Sequence, residues 1–205
     1  MIKESFSIDQ EPTLIDMRQS IDHFDVSFLH LLAERVRVVG KIMHLKKREK
    51  IDPGQSEARR EDMKNLIEMS VQLKLEPTFF KKILEMVFQD AMEQFNTGRL
   101  IGNPKALEEI TARVRIEDLR DSLFSLDRTL CLVLSERLRV VKRIGHYKHE
   151  LGIPPLDEKR WETVLETKSA VAQSLGISVP LIRDIYNAIH EVALTIERDI
   201  AEQAV

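Results

Sequence analysis

AERVRVVGKIMHLKK at Ala33–Lys47 and SERLRVVKRIGHYKH at Ser135–His149 are two versions of one basic helical segment. Displaced by 102 positions, so that Arg35 falls on Arg137, they agree at Glu34, Arg35, Arg37, Val38, Val39, Ile42, His44 and Lys46. A recurrence spaced at about half of the 205-residue chain means that one architectural unit is written twice.

Working outward, each segment lies in a long apolar seam. The first reads Ile21, Phe24, Phe28, Leu31, Arg35, Val38, Ile42, Leu45, and the second Leu123, Leu126, Leu130, Val133, Arg137, Val140, Ile144, Tyr147. Both are a/d heptads broken once by an arginine at the same place. A helix of roughly 35 residues, on the order of 50 Å at 1.5 Å per residue, cannot bury such a seam against short helices alone. Each long helix needs the other, which predicts that the two pair within one chain as an intramolecular pseudo-dimer with pseudo-twofold symmetry.

Seven glycines and seven prolines cluster between long periodic stretches, and β-branched alternation is absent. The first stretch runs from about Leu14 to Arg48 and stops at KIDPGQS; a second ends at LKLEP and a third near Asn96. After NTGRLIGNPK the order recurs, broken at ELGIPPLD and at LGISVP. Asp157 and Ser178 are candidate N-caps, with Pro180 fitting a first turn. The expected architecture is all-α, a tandem duplicated three-helix unit forming an intertwined bundle: repeat 1 at 1–98, a linker at 99–115 and repeat 2 at 116–205.

A hydrophobic fraction of 43% gives material for a sizeable core. Charged residues make up 32% with a net charge of −3, which leaves no broad positive field for a phosphate backbone and argues against a nucleic-acid partner. No run approaches the 18 or so apolar residues of a membrane span, and MIKESFSIDQEP has no apolar leader segment. The expectation is a soluble, unexported, cytoplasmic protein without a membrane partner. The single cysteine, Cys131, lies between Leu130 and Leu132 and reads as core packing. His44 and His146 read as polar helix positions.

An arginine on a buried seam must meet an anion, because an unpaired buried charge costs several kcal/mol. A glutamate on the facing helix is one candidate, and an anionic ligand is the other. Lys46 and Lys148 lie 11 residues beyond Arg35 and Arg137, almost three whole turns, so each pair shares a face. Arg18 and Arg120 lie 17 residues before the seam arginines, about 100° round the helix, and could serve the opposite half. Repetition of this spacing in both copies argues for a ligand.

These residues resemble a family. DMRQSIDHFDVSFLHLLAERVRVVGKIMHLKK and DLRDSLFSLDRTLCLVLSERLRVVKRIGHYKHELGIPPLDEKRW are similar to the helical (AroQ-type) chorismate mutases. That signature is an arginine near the start of the first helix, an aspartate seven residues on, then Glu-Arg, then a lysine. Here it appears as Arg18, Asp25, Glu34-Arg35 and Lys46, and again as Arg120, Asp127, Glu136-Arg137 and Lys148. In the family two intertwined subunits share each site, the first arginine crossing from the partner; the resemblance implies that dimer fused into one chain. Further association into a homodimer stays open.

The resemblance also implies roles. In the second copy Asp157 and Arg160 match a loop aspartate and a helix 2 arginine, and Glu197 matches the glutamine or glutamate of helix 3. Trp161 stands where many members have glutamate, and Ala193 replaces a serine. In the first copy no clear aspartate occupies the loop position, Arg59 or Arg60 could be the helix 2 arginine, and Gln94 fits only with a one-residue gap, since strict spacing sets Phe95 opposite Glu197. The better site would use Arg137, Arg160, Lys148 and Glu197 with Arg18 crossing over. The other would use Arg35, Lys46, Gln94 and Arg59 or Arg60, with Arg120 crossing.

The implied reaction is the concerted rearrangement of chorismate, a small dicarboxylate, to prephenate, with no cofactor and no metal. Arginines clamp the carboxylates and a lysine donates to the ether oxygen as negative charge develops there. Lyase chemistry on isochorismate, mutase chemistry on aminodeoxychorismate, and a non-catalytic regulatory helical protein are the alternatives.

Overall fold

The computed structural model describes residues 13–52, 57–98, 108, 114–154 and 158–203, and among them it contains helices and turns with no strand. The order is α1 (Leu14–Glu49), α2 (Glu57–Gln72), α3 (Pro77–Asn96), α4 (Ile116–Glu150), α5 (Glu158–Ser174) and α6 (Val179–Gln203). The long unit recurs as read from the sequence. The linker at 99–115 lies almost wholly outside the described residues.

Local chemistry sets the ends. Thr13 caps α1 through a reciprocal box, its hydroxyl accepting from the Asp16 N–H while the Asp16 carboxylate accepts from the Thr13 N–H. The Glu76 carboxylate accepts from the Thr78 hydroxyl and from the N–H groups of Thr78 and Phe79, and these contacts, the hydroxyl first, hold its pKa below the usual carboxylate value. Ser178 does the same for α6, accepting from the Leu181 N–H at 3.4 Å. The other expected cap, Asp157, lies outside the described residues. At the C-termini the chain turns through left-handed residues at matching positions: Lys50 (φ 57°) and Gly152 (φ 64°) after the long helices, Lys74 (φ 58°) and Gly176 (φ 77°) after α2 and α5. The second copy uses the residue that adopts this conformation without penalty; the first uses lysine.

Among the described residues the long helices α1 and α4 form the largest contact between elements. Each short middle helix then leans on the long helix of the other half, α2 on α4 and α5 on α1, while α3 and α6 meet each other. One buried cluster runs through all of this. It takes Phe28, Leu29 and Leu32 from α1, Phe80 and Ile83 from α3, Leu130, Cys131 and Leu134 from α4, and Ile182, Ile185, Tyr186 and Ile189 from α6. Cys131 is fully buried, and desolvation pushes its thiol up to about 11, so it packs as a small hydrophobe.

The buried face of each long helix is wider than the heptad seam. Leu29, Leu32, Ala33, Val39 and Met43 are buried beside the a/d positions of α1, while Ile21, Phe24 and Leu31 on the seam are half-buried. A strict seam serves two facing helices; here each long helix also receives a third helix on its flank, which broadens the apolar stripe. That flank is not equally close in the two halves, since α6 contacts α4 more extensively than α3 contacts α1. Gly145 lies at a close approach of this kind. A Cβ there would lie 2.7 Å from Ile200 Cδ1 and 3.3 Å from Glu197 Cγ. The matching position on α1 is Met43, whose side chain fills that space. Among the described residues no helix is long and apolar enough to cross a membrane.

Candidate active site

The seam arginines find their anions on the facing long helix, and the anions are aspartates rather than the glutamates considered from the sequence. Arg137 Nε donates to Asp25 Oδ1 at 2.7 Å, and Arg35 Nε donates to Asp127 Oδ1 at 2.5 Å. All four side chains are at least nine-tenths buried. Asp25 and Asp127 belong to the quoted signature, yet their partners were missed, because the pairing depends on register. Reciprocal contacts of Asp25 with Arg137 and Asp127 with Arg35 require α1 and α4 to run antiparallel. In that register Arg18 falls opposite Ile144, between Arg137 and Lys148.

A cavity follows from this placement. Arg18, Asp22 and Asp25 of α1, Arg137, Ile144 and Lys148 of α4, Arg160, Trp161 and Val164 of α5, and His190, Ala193 and Glu197 of α6 line it. The cavity opens to solvent, and the space inside it and its mouth together is about 800 Å³. Lys148 Nζ donates to Glu197 Oε2 at 2.8 Å, with both side chains about nine-tenths buried. Arg160 is exposed at the rim. Trp161 stacks on His190 with ring centroids 4.0 Å apart and planes 4° from parallel. Burial lowers the His190 pKa, and the cations Arg137 and Lys148 lower it further, so the imidazole is held neutral among positive groups. The sequence carried no signal for His190 beyond its place two turns before Glu197.

The second cavity is its counterpart and differs in detail. Arg35 and Lys46 of α1 and Arg120 and Asp127 of α4 line it, with Asp62, Met63 and Leu66 of α2 and Leu84 and Phe88 of α3. Lys46 Nζ donates to the backbone carbonyl of Asp52 at 3.2 Å. Gln94 does not line this cavity; its amide donates to Asp90 one turn back on α3. Phe95, opposite Glu197 by spacing, packs with Val39, Met43 and Ala91. Phe88 stands where the other half has His190. Arg60 is exposed and lines neither cavity, while the side chain of Arg59 and the whole of Asp157 lie outside the described residues. Desolvation, followed by repulsion from Asp127, raises the pKa of Asp62 against the pull of Arg120.

Among the described residues no group of three or more His, Cys, Asp or Glu side chains stands where it could hold a metal ion. Both cavities are instead cationic and line up on a duplicated all-helical scaffold, the makings of a protein that binds small anions. The sequence model of the family described as chorismate mutase type II matches residues 17–94 and again 119–198. These segments make up most of the chain, and the chain belongs to that family. Among curated proteins it is 36% identical over 70 residues to a T-protein of Haemophilus influenzae, covering 34% of this chain and 19% of the relative. It is 31% identical over 81 residues to a T-protein of Enterobacter agglomerans, covering 40% of this chain and 22% of the relative. The chain thus spans about a fifth of the length of these relatives. No solved structure matches it significantly.

Proposed function

We propose that the protein is a chorismate mutase, an isomerase that converts chorismate to prephenate, and that the cavity around Lys148 is its working site. The observation that carries this is the convergence of Arg18, Arg137, Arg160, Lys148 and Glu197 on one cavity, against a counterpart whose helix 3 offers Phe88 and Leu84. The chain acts as a fused pseudo-dimer, since Arg18 reaches this cavity from the other half.

Two guanidinium groups take the two carboxylates and hold the substrate compact, which lowers the entropic part of the barrier. Lys148 then donates to the ether oxygen, where negative charge grows as the C–O bond breaks. Rate comes from that difference between ground and transition state. Glu197 shares Lys148 in the ligand-free protein; beside the ether oxygen it helps only as a donor, which a carboxylate becomes on protonation.

Turnover of purified protein on chorismate, with prephenate resolved by chromatography, tests the reading. Lys46→Ala should keep most activity, whereas Lys148→Ala should lose on the order of 10²–10³ in kcat, the cost of removing one donor to a developing oxyanion. In the Lys46→Ala background Glu197→Gln should retain activity at neutral pH and flatten the acid side of the profile. Equal losses from Lys46→Ala and Lys148→Ala would overturn the assignment to one cavity, and no prephenate from any form would overturn the activity.

A further inference from the structure

Resting on the assignment of the rearrangement to the Lys148 cavity, we propose that Lys168 is a positioning residue for it. Through an ion pair with one carboxylate oxygen of Asp25, Lys168 draws that oxygen off Arg137, so that Asp25 meets the arginine at a single point and both Nη groups are left to a substrate carboxylate.

Lys168 lies on α5 with 5% of its surface exposed. Its Nζ donates to Asp22 Oδ1 at 2.9 Å and lies at ion-pair distance, 3.3 Å, from Asp25 Oδ2, a buried oxygen that accepts no hydrogen bond among the described residues. Asp25 is 1% exposed and accepts from Arg137 through Oδ1. Among the described residues that is the hydrogen bond Arg137 makes, through Nε, and neither of its Nη atoms is buried without a partner. The guanidinium therefore borders the cavity with its outer edge unclaimed.

The other half is an internal control. Spacing of 102 residues puts Leu66 at the place of Lys168, Phe124 at Asp22 and Leu84 at Tyr186. With no lysine competing, Asp127 takes Arg35 at two points, Oδ1 from Nε and Oδ2 from Nη2 at 3.2 Å. Nη1 of Arg35 is buried with no hydrogen-bond partner among the described residues. The same arginine is thus closed by its counterion in one half and open in the other.

Two physical reasons connect the difference to Lys168. The buried ammonium attracts Asp25 Oδ2 toward α5, against the pull of the guanidinium, and the carboxylate meets Arg137 through Oδ1 in place of the bidentate fork. Charge follows as well. Arg35 has Asp127 to itself, while Arg137 and Lys168 share the buried Asp25, and the charge that balances the set, Asp22, is half-exposed. Packing does not demand a lysine here, since Leu66 fills the matching position at 2% exposure. A buried cation kept where a hydrocarbon would pack has a cost that some function must offset.

The test uses the full chain carrying Lys46→Ala, so that the Lys148 cavity alone is read. Lys168→Met should raise KM for chorismate about tenfold or more, the effect of losing a hydrogen bond to a charged group, with a smaller change in kcat. Adding Asp25→Asn, whose single acceptor oxygen cannot grip the guanidinium twice, should bring KM back to within about threefold of the parent. A merely structural lysine would show neither the KM bias nor that reversal. An unchanged KM in folded Lys168→Met, or failure of Asp25→Asn to reverse the loss, overturns the proposal. Should Lys168→Met not fold, Leu66→Lys with Phe124→Asp in a Lys148→Ala chain makes the reciprocal test. Chorismate binding to the other cavity, measured by calorimetry, should tighten about tenfold, and no change overturns the proposal. A Lys46→Ala parent that does not turn over chorismate, while the wild type does, removes the functional reading of the cavity and this proposal with it; a raised KM in a working parent bears on Lys168 alone.

Discussion

His190 stacks on Trp161 while facing Arg137 and Lys148 in the same cavity, and Glu191 opposes their effect on its charge. Its pKa is lowered in the folded protein, chiefly by burial. The unfolded chain takes up a proton near the ordinary histidine value of about 6.5, whereas the folded protein resists it. The unfolded state therefore binds more protons in that window, and the contribution of His190 to stability is lost as pH falls through it. His190→Phe, the residue that Phe88 supplies in the other half, removes the term. Thermal midpoints taken from pH 7.5 to pH 5 should fall less steeply for His190→Phe than for the parent; parallel curves would refute the account. Residue identity was readable for the cations Arg18, Arg137 and Lys148, because the signature fixes their spacing. It was not readable for His190 or Lys168, whose meaning comes from neighbours on other helices.

Helix ends show how faithfully the unit is copied. Left-handed turns recur at Lys50 and Gly152 and at Lys74 and Gly176, each pair separated by the same 102 residues as the basic segments. An L-residue in this conformation costs about 1–2 kcal/mol, which glycine avoids, although glycine loses part of that advantage through its greater freedom in the unfolded chain. Lys50→Gly and Lys74→Gly should each stabilise the protein by about 0.5–1 kcal/mol in denaturant titrations, at unchanged slope. Destabilisation by either would mean that the lysine side chain contributes more than the strain costs. The element pattern was legible for the same reason the caps work: periodicity and turn chemistry are local. What the pattern missed was the breadth of the buried face, since a heptad describes one neighbouring helix and α1 and α4 each have more than one.

A single hydrophobic cluster joins α1, α3, α4 and α6, and α2 and α5 cross between halves. Residues 1–98 expressed alone would expose Phe28, Leu29 and Leu32 where α4 and α6 cover them. That fragment should be unfolded or self-associating by circular dichroism and sedimentation, and a stable folded monomer would contradict the shared core. The duplicated period, the all-helical class, the pairing of two long helices and most of the cationic set follow from the sequence by itself, because they rest on spacing along one helix. The tertiary structure decided the rest. Antiparallel register made Asp25 and Asp127 the partners of Arg137 and Arg35, and brought Arg18 opposite Ile144. Helix packing brought Glu197 to Lys148 beside Gly145, while in the other half Phe95 joins the core with Met43 and Gln94 turns to Asp90. Spacing places residues on a face, but which faces meet, and how closely, depends on packing between helices distant in the chain.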